Sequence, residues 1–351
     1  MNRCETPRRL VRARTPLRIS LGGGGTDIDP YPQDHGGVAL TIAINIYVRV
    51  ELIAHRTPAP VRVESRDLNV AASFECDHEL ALTGTLDLAK AAIRRVAPHT
   101  LHDGLELITS SDVSLGSGLG GSSAMTATML GALHHYLGHP TDHHALASEA
   151  FEVERIDVGL AGGRQDQYAC VCGGANLLEF NRDATSVQPL CLDPAQLDHL
   201  ERSLLLCDTG ITRISSPIIE RQVAAYTRRD EHVTDALHRI KAAALEMHHA
   251  LLNSDLPRLG ALLDASWTQK QRFDPAVTNP TIDALYTTAI EAGAYGGKLL
   301  GAGGGGYLLL LTPAERRDHI AQQLTAAGGR PRTVGFDHEG FVAWDAQDET
   351  S

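Results

Sequence analysis

The residues best suited to chemistry lie in one short run. Gly116, Ser117, Gly118, Leu119, Gly120, Gly121, Ser122 and Ser123 stand between a strand-like segment at 105–109 and an apolar, helix-like one at 122–137. Glycines let the chain turn with several main-chain N–H groups pointing inward, and a helix start adds partial positive charge. That combination cradles an anion, a phosphate above all. Ser122 and Ser123 cap the helix or offer a hydroxyl to a phosphate or a metal. An ordinary Ser-capped turn is the bland alternative, and this much glycine is lavish for it.

Three further segments carry groups that a phosphate site would use. A strand from Pro16 delivers Arg18, and the glycine loop after it presents Thr26 and Asp27. A carboxylate can accept hydrogen bonds from two neighbouring hydroxyls, which suits a sugar, although Asp27 could simply close a turn. Glu154 falls near a helix end, and Asp166 follows the loop 159–163. Such acids supply a hard oxygen ligand and a proton acceptor, or else they are surface charges. The run at 297–306, which includes Lys298, Gly303 and Gly304, lets two backbones come close or serves as a turn into a strand.

Competing motifs are weaker. Gly116, Gly118 and Gly121 match the dinucleotide-binding spacing, but the residues about twenty further on open a helix where that motif needs an acid closing a strand. No Gly-Lys-Ser/Thr follows the loop, so it is not a Walker A loop. Asp208-Thr-Gly210 fits one half of an aspartic protease site and has no second half. The pairs His134/His135, His143/His144 and His248/His249 are adjacent residues, which point about 100° apart on a helix and read as solvated surface.

The elements that must position these groups mix both types. Strands are expected across 38–53, at 105–109, 204–207, 307–311 and 332–342. Helices are expected at 85–95, 122–137, 141–156, 216–252, 255–271, 280–292 and 314–327. The 351 residues are 43% apolar, enough for two cores, and no Pro- or Ser-rich linker separates a first half, 14–195, from a second, 196–345. A net charge of −12 excludes nucleic acid and anionic membrane as main partners but allows a small anionic ligand. No apolar run approaches the ~20 residues of a membrane span. Residues 1–14 read as a frayed basic leader, and the six scattered cysteines as reduced thiols of a cytoplasmic protein.

Taken in order, the four segments resemble the superfamily of galactokinase, homoserine kinase, mevalonate kinase and phosphomevalonate kinase (GHMP). Its phosphate loop, roughly Pro-x-x-x-Gly-Leu-Gly-Ser-Ser-Ala, is similar to the stretch from Gly118 to Ala124, with Ser114 where Pro is usual and Gly121 replacing the first Ser. Within that superfamily the Gly-Gly-Gly-Thr-Asp, the Arg164-Gln-Asp-Gln-Tyr168 segment and the second glycine run look most like D-glycero-D-manno-heptose 7-phosphate 1-kinases, with L-fucokinases as the rival. The resemblance implies an α+β fold, with an N-terminal domain like ribosomal protein S5 domain 2 and a ferredoxin-like C-terminal domain. It implies ATP on 116–123 and Mg2+ on Ser122 and Glu154. Asp166 is then the base and Arg18 the neutralising cation. Thr26, Asp27, Gly303 and Gly304 become the substrate contacts. The acceptor is a sugar or sugar phosphate, phosphorylated on its anomeric hydroxyl. Arg213 and Lys298 are the cations to test for an acceptor phosphate. A sugar- and ATP-binding sensor without turnover and a dinucleotide-dependent oxidoreductase are the competing classes, and a homodimer stays open.

Overall fold

The computed structural model describes residues 9–55, 57–75, 80–97, 104–114, 116–182, 184–212 and 216–346. Along the first half run β1 (Arg9–Gly22), α1 (Tyr31–His35), β2 (Gly37–Ala54), β3 (Val61–Ser65), β4 (Val70–Phe74), α2 (Asp87–Val96) and β5 (Leu105–Ser111). Then come α3 (Gly121–Leu137), α4 (His143–Glu152), α5 (Gln165–Cys172), β6 (Ala175–Phe180) and β7 (Thr185–Pro189). The second half holds α6 (Pro194–Ser203), β8 (Leu204–Asp208), α7 (Ser216–Thr227), α8 (Glu231–Leu252), α9 (Leu256–Lys270) and α10 (Pro280–Glu291). It closes with β9 (Gly296–Leu299), β10 (Tyr307–Leu311), α11 (Arg317–Ala326), β11 (Arg330–Arg332) and β12 (Val342–Asp345).

Two sheets result. The larger has the order β12-β1-β2-β5-β3-β4, with β6 paired to β2 and β7 to β6; the smaller has the order β11-β8-β10-β9. β2 shows why a long strand forms here. Val48, Val50, Leu52 and Ala54 are at most 1% exposed and alternate with partly or fully exposed residues, the period-two pattern of a sheet with one covered face. α3 lies against β1 and β2, and ten of its residues are buried. A helix apolar on every side belongs inside a core, and small side chains bring its backbone close. At Gly131 an added Cβ would stand 2.1 Å from the Phe341 ring. One core cluster runs from Leu17, Ile19 and Ile42 through Leu204 and Leu206 to Leu309, so the two halves share apolar packing.

Several expectations need correction. The basic leader is in part a strand: Arg9, Arg12 and Arg14 lie in β1, where Arg9 pairs with Asp345 and Arg12 with Glu51. The helix expected at 216–252 is two helices, because Arg229 takes φ 59° and Asp230 caps α8 through the N–H groups of His232 and Val233. The closing strand expected at 332–342 is two short strands in different sheets, β11 beside β8 and β12 beside β1. The cut at 195/196 falls within α6, and β12 returns the chain to the first sheet. No helix among the described residues is long and apolar enough to cross a membrane.

Candidate active site

A cavity of about 570 Å³ opens between the two sheets' loops, lined by Arg18, Asp27, Ser122, Glu154, Asp166, Lys270 and Lys298, among others. Its walls come from β1, the loop before α3, the turn leading into α5, and the segment joining β9 to β10. The phosphate-loop candidate is one of these walls. Gly118 and Gly120 take φ 78° and 81°, values that a side chain rarely adopts, and Gly120 forms the N-terminal cap of α3. The loop is also pinned from outside. Arg18 donates from its main chain to Leu119 O (3.1 Å) and from Nη1 to Gly118 O (2.7 Å), and Tyr307 N donates to Ser117 O (3.1 Å). A Cβ on Gly118 would meet Leu300 O at 2.8 Å, so the second glycine run does approach this loop backbone to backbone. Leu119 is fully buried beneath it.

Where α3 begins, Ser122 and Ser123 each donate to one oxygen of Glu154 (both 2.6 Å), and Gln167 Nε2 donates to Glu154 Oε2 (2.5 Å). Glu154 is fully buried in a widened helical turn, Val153–Asp157, that follows α4. A buried carboxylate is tolerable only when its oxygens are satisfied, and here three donors and the nearby Arg155 guanidinium (3.7 Å) do that. The Ser122 hydroxyl and Glu154 carboxylate are hard oxygen donors on adjacent walls. Magnesium bound to a nucleotide takes few protein oxygens, so this pair fits it.

Opposite them stands Arg18, 2% exposed. Its Nε (2.9 Å) and Nη2 (2.7 Å) both donate to Asp166 Oδ1, so no described residue bonds to Oδ2 and the side chain stays a quarter exposed. Burial, the largest influence, would depress the Arg18 pKa, but the Asp166 charge and hydrogen bond together with Cys170 and Asp27 outweigh it and the net direction is upward. Asp166 sits in the first turn of α5, a short helix that begins just past the expected loop at 159–163.

Asp27 lines the cavity floor, 1% exposed, and burial pushes its carboxyl above the ordinary range. Gly25 N (3.0 Å) and Gln165 Nε2 (3.1 Å) donate to Oδ1, and Gln165 N (3.1 Å) to Oδ2. Oδ2 therefore keeps one lone pair. Thr26 does not face the cavity. It is fully buried; its Oγ1 lies 2.8 Å from Gly23 O and 2.9 Å from Val38 O and accepts from Val38 N, locking the loop to β2. Gly303 and Gly304 also point elsewhere. They pack on Val277, and Gly304 N donates to Val277 O (2.7 Å), whereas Gly301 and Ala302 line the cavity. Arg213 lies outside the described residues.

The sequence reading missed two contributors. Gln167 is one turn after the loop and has no motif signal beyond its place next to Asp166. Lys270, at the end of α9, donates to Leu299 O (2.9 Å) and Gly301 O (2.5 Å) from an element with no chemical motif at all. Lys298 Nζ donates to Leu21 O (3.2 Å). Burial, then the Arg18 charge, lowers Lys298 to about 7, and burial with its two cationic neighbours takes Lys270 well below its ordinary value.

Comparison with known proteins follows the same lines. The family described as GHMP kinases N terminal domain matches residues 87–174, and the GHMP kinases C terminal family matches 247–330. The chain is 34% identical over 339 residues to a D-glycero-alpha-D-manno-heptose 7-phosphate kinase of Campylobacter jejuni, covering 96% of this chain and 99% of that protein. It is 29% identical to the L-fucokinase/L-fucose-1-P guanylyltransferase of Bacteroides fragilis, across 94% of this chain but 38% of that longer protein. Among solved structures, a D-glycero-D-manno-heptose 1-phosphate kinase from Bacteroides thetaiotaomicron superposes with TM-score 0.80 at 28% identity, over 96% of this chain and all of the other.

Proposed function

The chain belongs to the GHMP kinase family and is a sugar kinase, and from that premise we propose that it transfers the γ-phosphate of ATP to the anomeric (C1) hydroxyl of D-glycero-D-manno-heptose 7-phosphate. One observation carries the reading: the Arg18–Asp166 pair and the 116–123 loop line a single cavity. The match to a heptose 7-phosphate kinase, 34% identical over 96% of this chain and 99% of that protein, supports a heptose phosphate. Galactokinases at 30% identity over 93% of their length and the fucokinase make galactose and fucose the free sugars to test against it.

In this reading, the main-chain amides and helix start at 116–123 receive the triphosphate. Ser122 and Glu154 would hold Mg2+, which when bound supplies charge neutralisation along the phosphates. The cavity's apolar end, with Val48, Val63, Leu86 and Met125, suits a purine ring. Asp166 Oδ2 accepts the proton of the C1 hydroxyl, whose oxygen forms the new bond to phosphorus as the bond to the β,γ-bridging oxygen breaks and ADP leaves. Arg18, held on Oδ1, keeps that carboxylate aimed and lies beside the developing charge. The open lone pair of Asp27 accepts from a ring hydroxyl. Phosphoryl transfer works mainly by such placement and electrostatics. A screen of coupled ADP release across heptose 7-phosphate, fucose, galactose and mannose tests the reading: turnover on the heptose phosphate at least about tenfold above the free sugars supports it, and preference for a free sugar removes it.

A further inference from the structure

The cavity contains cations that no acid balances. Lys298 projects from β9, 6% exposed, and the only bond its ammonium makes to a described residue is to the Leu21 carbonyl. Lys270 comes from α9 and rests on two carbonyls, Leu299 O and Gly301 O. Neither ammonium pairs with a carboxylate among the described residues, while Arg18, the third cation of the group, has Asp166. Lys298 is buried and Lys270 half-buried; an unpaired charge is costly to take out of water, and cations so placed without acids are poised for an anion from outside. The acids around the seat have partners of their own: Asp27, in the same cavity, accepts from Gly25 N and from Gln165, and Asp166 is held by Arg18 through Oδ1 alone. Asp264 of α9 accepts from the Tyr286 hydroxyl of α10 (2.6 Å).

Position decides which anion. Lys270 grips Gly301, whose backbone touches Gly118 of the phosphate loop. Lys298 grips Leu21 on β1, the strand that also carries Arg18. A phosphate on C7 hangs at the end of the exocyclic C6–C7 arm on C5, several bonds from C1, and so would sit apart from Asp166 and its arginine. We propose that Lys270 and Lys298, together with Arg18, form the anion seat that holds the phosphoryl group in transfer, between the phosphate loop and the acceptor, so that Lys298 serves this phosphate and not the one on C7. The proposal rests on the kinase reading.

Proton linkage follows from the same geometry. With the seat empty, burial and mutual repulsion favour loss of a proton, Lys298 near pH 7 and Lys270 likewise far below a free lysine. An arriving anion reverses that preference, so binding at pH 8 draws a proton from solvent.

The test is calorimetry of the ATP analogue AMPPNP at pH 8 in two buffers of different ionisation enthalpy, alongside turnover. Wild type takes up a proton on binding; Lys298→Met takes up less, and the Lys298→Met/Lys270→Met pair none. Each single variant loses roughly a hundredfold in kcat, the scale of a lost transition-state charge contact, while Lys298→Arg recovers part of it. Removing a buried charge does not lower Tm, which separates this outcome from unfolding. Unchanged proton uptake and kcat in both variants overturn the proposal. If wild type binds no AMPPNP, the kinase reading itself fails, and tripolyphosphate becomes the probe. Binding that weakens at least about tenfold in Lys298→Met then keeps the seat, and equal or absent binding overturns it.

Discussion

The two walls of the cavity solve the problem of buried charge in opposite ways. On the Glu154 wall, two serine hydroxyls and the Gln167 amide partner the carboxylate, so the acid is held and aimed before it would take up Mg2+ together with Ser122. On the lysine wall, Lys270 meets two main-chain carbonyls and the Trp267 ring, and Lys298 one carbonyl; neither meets a carboxylate among the described residues, so the charge is incomplete until an anion enters. The first wall is built for stability and geometry, the second for binding. Arg18 and Asp166 stand between them, neutral as a pair and yet with one carboxylate oxygen unused. A kinase site needs all three arrangements, because it must hold a highly charged substrate, neutralise a charge in motion and keep one base free.

The comparison can be broken in several places. The largest effect is expected at the pair between the walls. Asp166→Asn keeps the shape but loses the proton acceptor, and kcat should fall by at least about a thousandfold with little change in Tm; near-normal turnover would remove the base assignment. Next comes Gly118→Ala, where the new Cβ meets the Leu300 carbonyl and the φ of 78° disfavours any side chain. We expect kcat/KM for ATP to fall roughly a hundredfold, since a shift of about 1 Å in a positioning loop is worth that much.

Thr26 and Asp27 give a sharper contrast because they are neighbours with different duties. Thr26→Val removes the buried hydroxyl that accepts from Val38 N and bridges Gly23 O and Val38 O, and should cost about 1–3 kcal/mol of stability, read by urea unfolding, with KM for the sugar changed less than threefold or so. Asp27→Asn should do the reverse, raising that KM more than tenfold or so. An equal KM effect from both would mean that Thr26 reaches the substrate after all.

The smallest effect concerns pH. Lys298 is depressed in the folded chain, to about 7 from 10.5, so between those values the unfolded chain binds the extra proton and stability rises with pH. Below about pH 7 both forms are charged and the full penalty of burying the ammonium is felt. Lys298→Met should therefore exceed wild type in Tm at pH 7, with the gap closing toward pH 10; a gap independent of pH would contradict the assignment.

Much of this site was legible in the sequence because its signals are local. The glycine- and serine-rich loop at 116–123 already implies an anion cradle by its residue types, whereas Glu154, Asp166 and Arg18 gained their roles from the order of the segments and the family they resemble; the three and the loop apart from Leu119 line the same cavity. What was hidden depends on neighbours far along the chain. The direction of Thr26 is decided by Val38 on the returning strand, and that of Gly303 and Gly304 by Val277. Lys270 ends a helix with no motif, and its role appears only when α9 packs beside β9. The splitting of 216–252 needed one left-handed residue, Arg229, which composition does not announce. The two-sheet division of the chain's end is likewise tertiary: residues 330–332 and 342–345 look alike as extended chain and differ in what they pair with.

The claim on which the rest depends is that ATP's terminal phosphate reaches C1 of a sugar that already carries a phosphate. Phosphorus NMR of the purified chain with ATP, Mg2+ and D-glycero-D-manno-heptose 7-phosphate reads this directly. The account predicts a new phosphate ester coupled to the anomeric proton, an intact signal for the 7-phosphate, and one ADP for each ester formed. ADP without an anomeric ester, or an ester on another carbon, would contradict it.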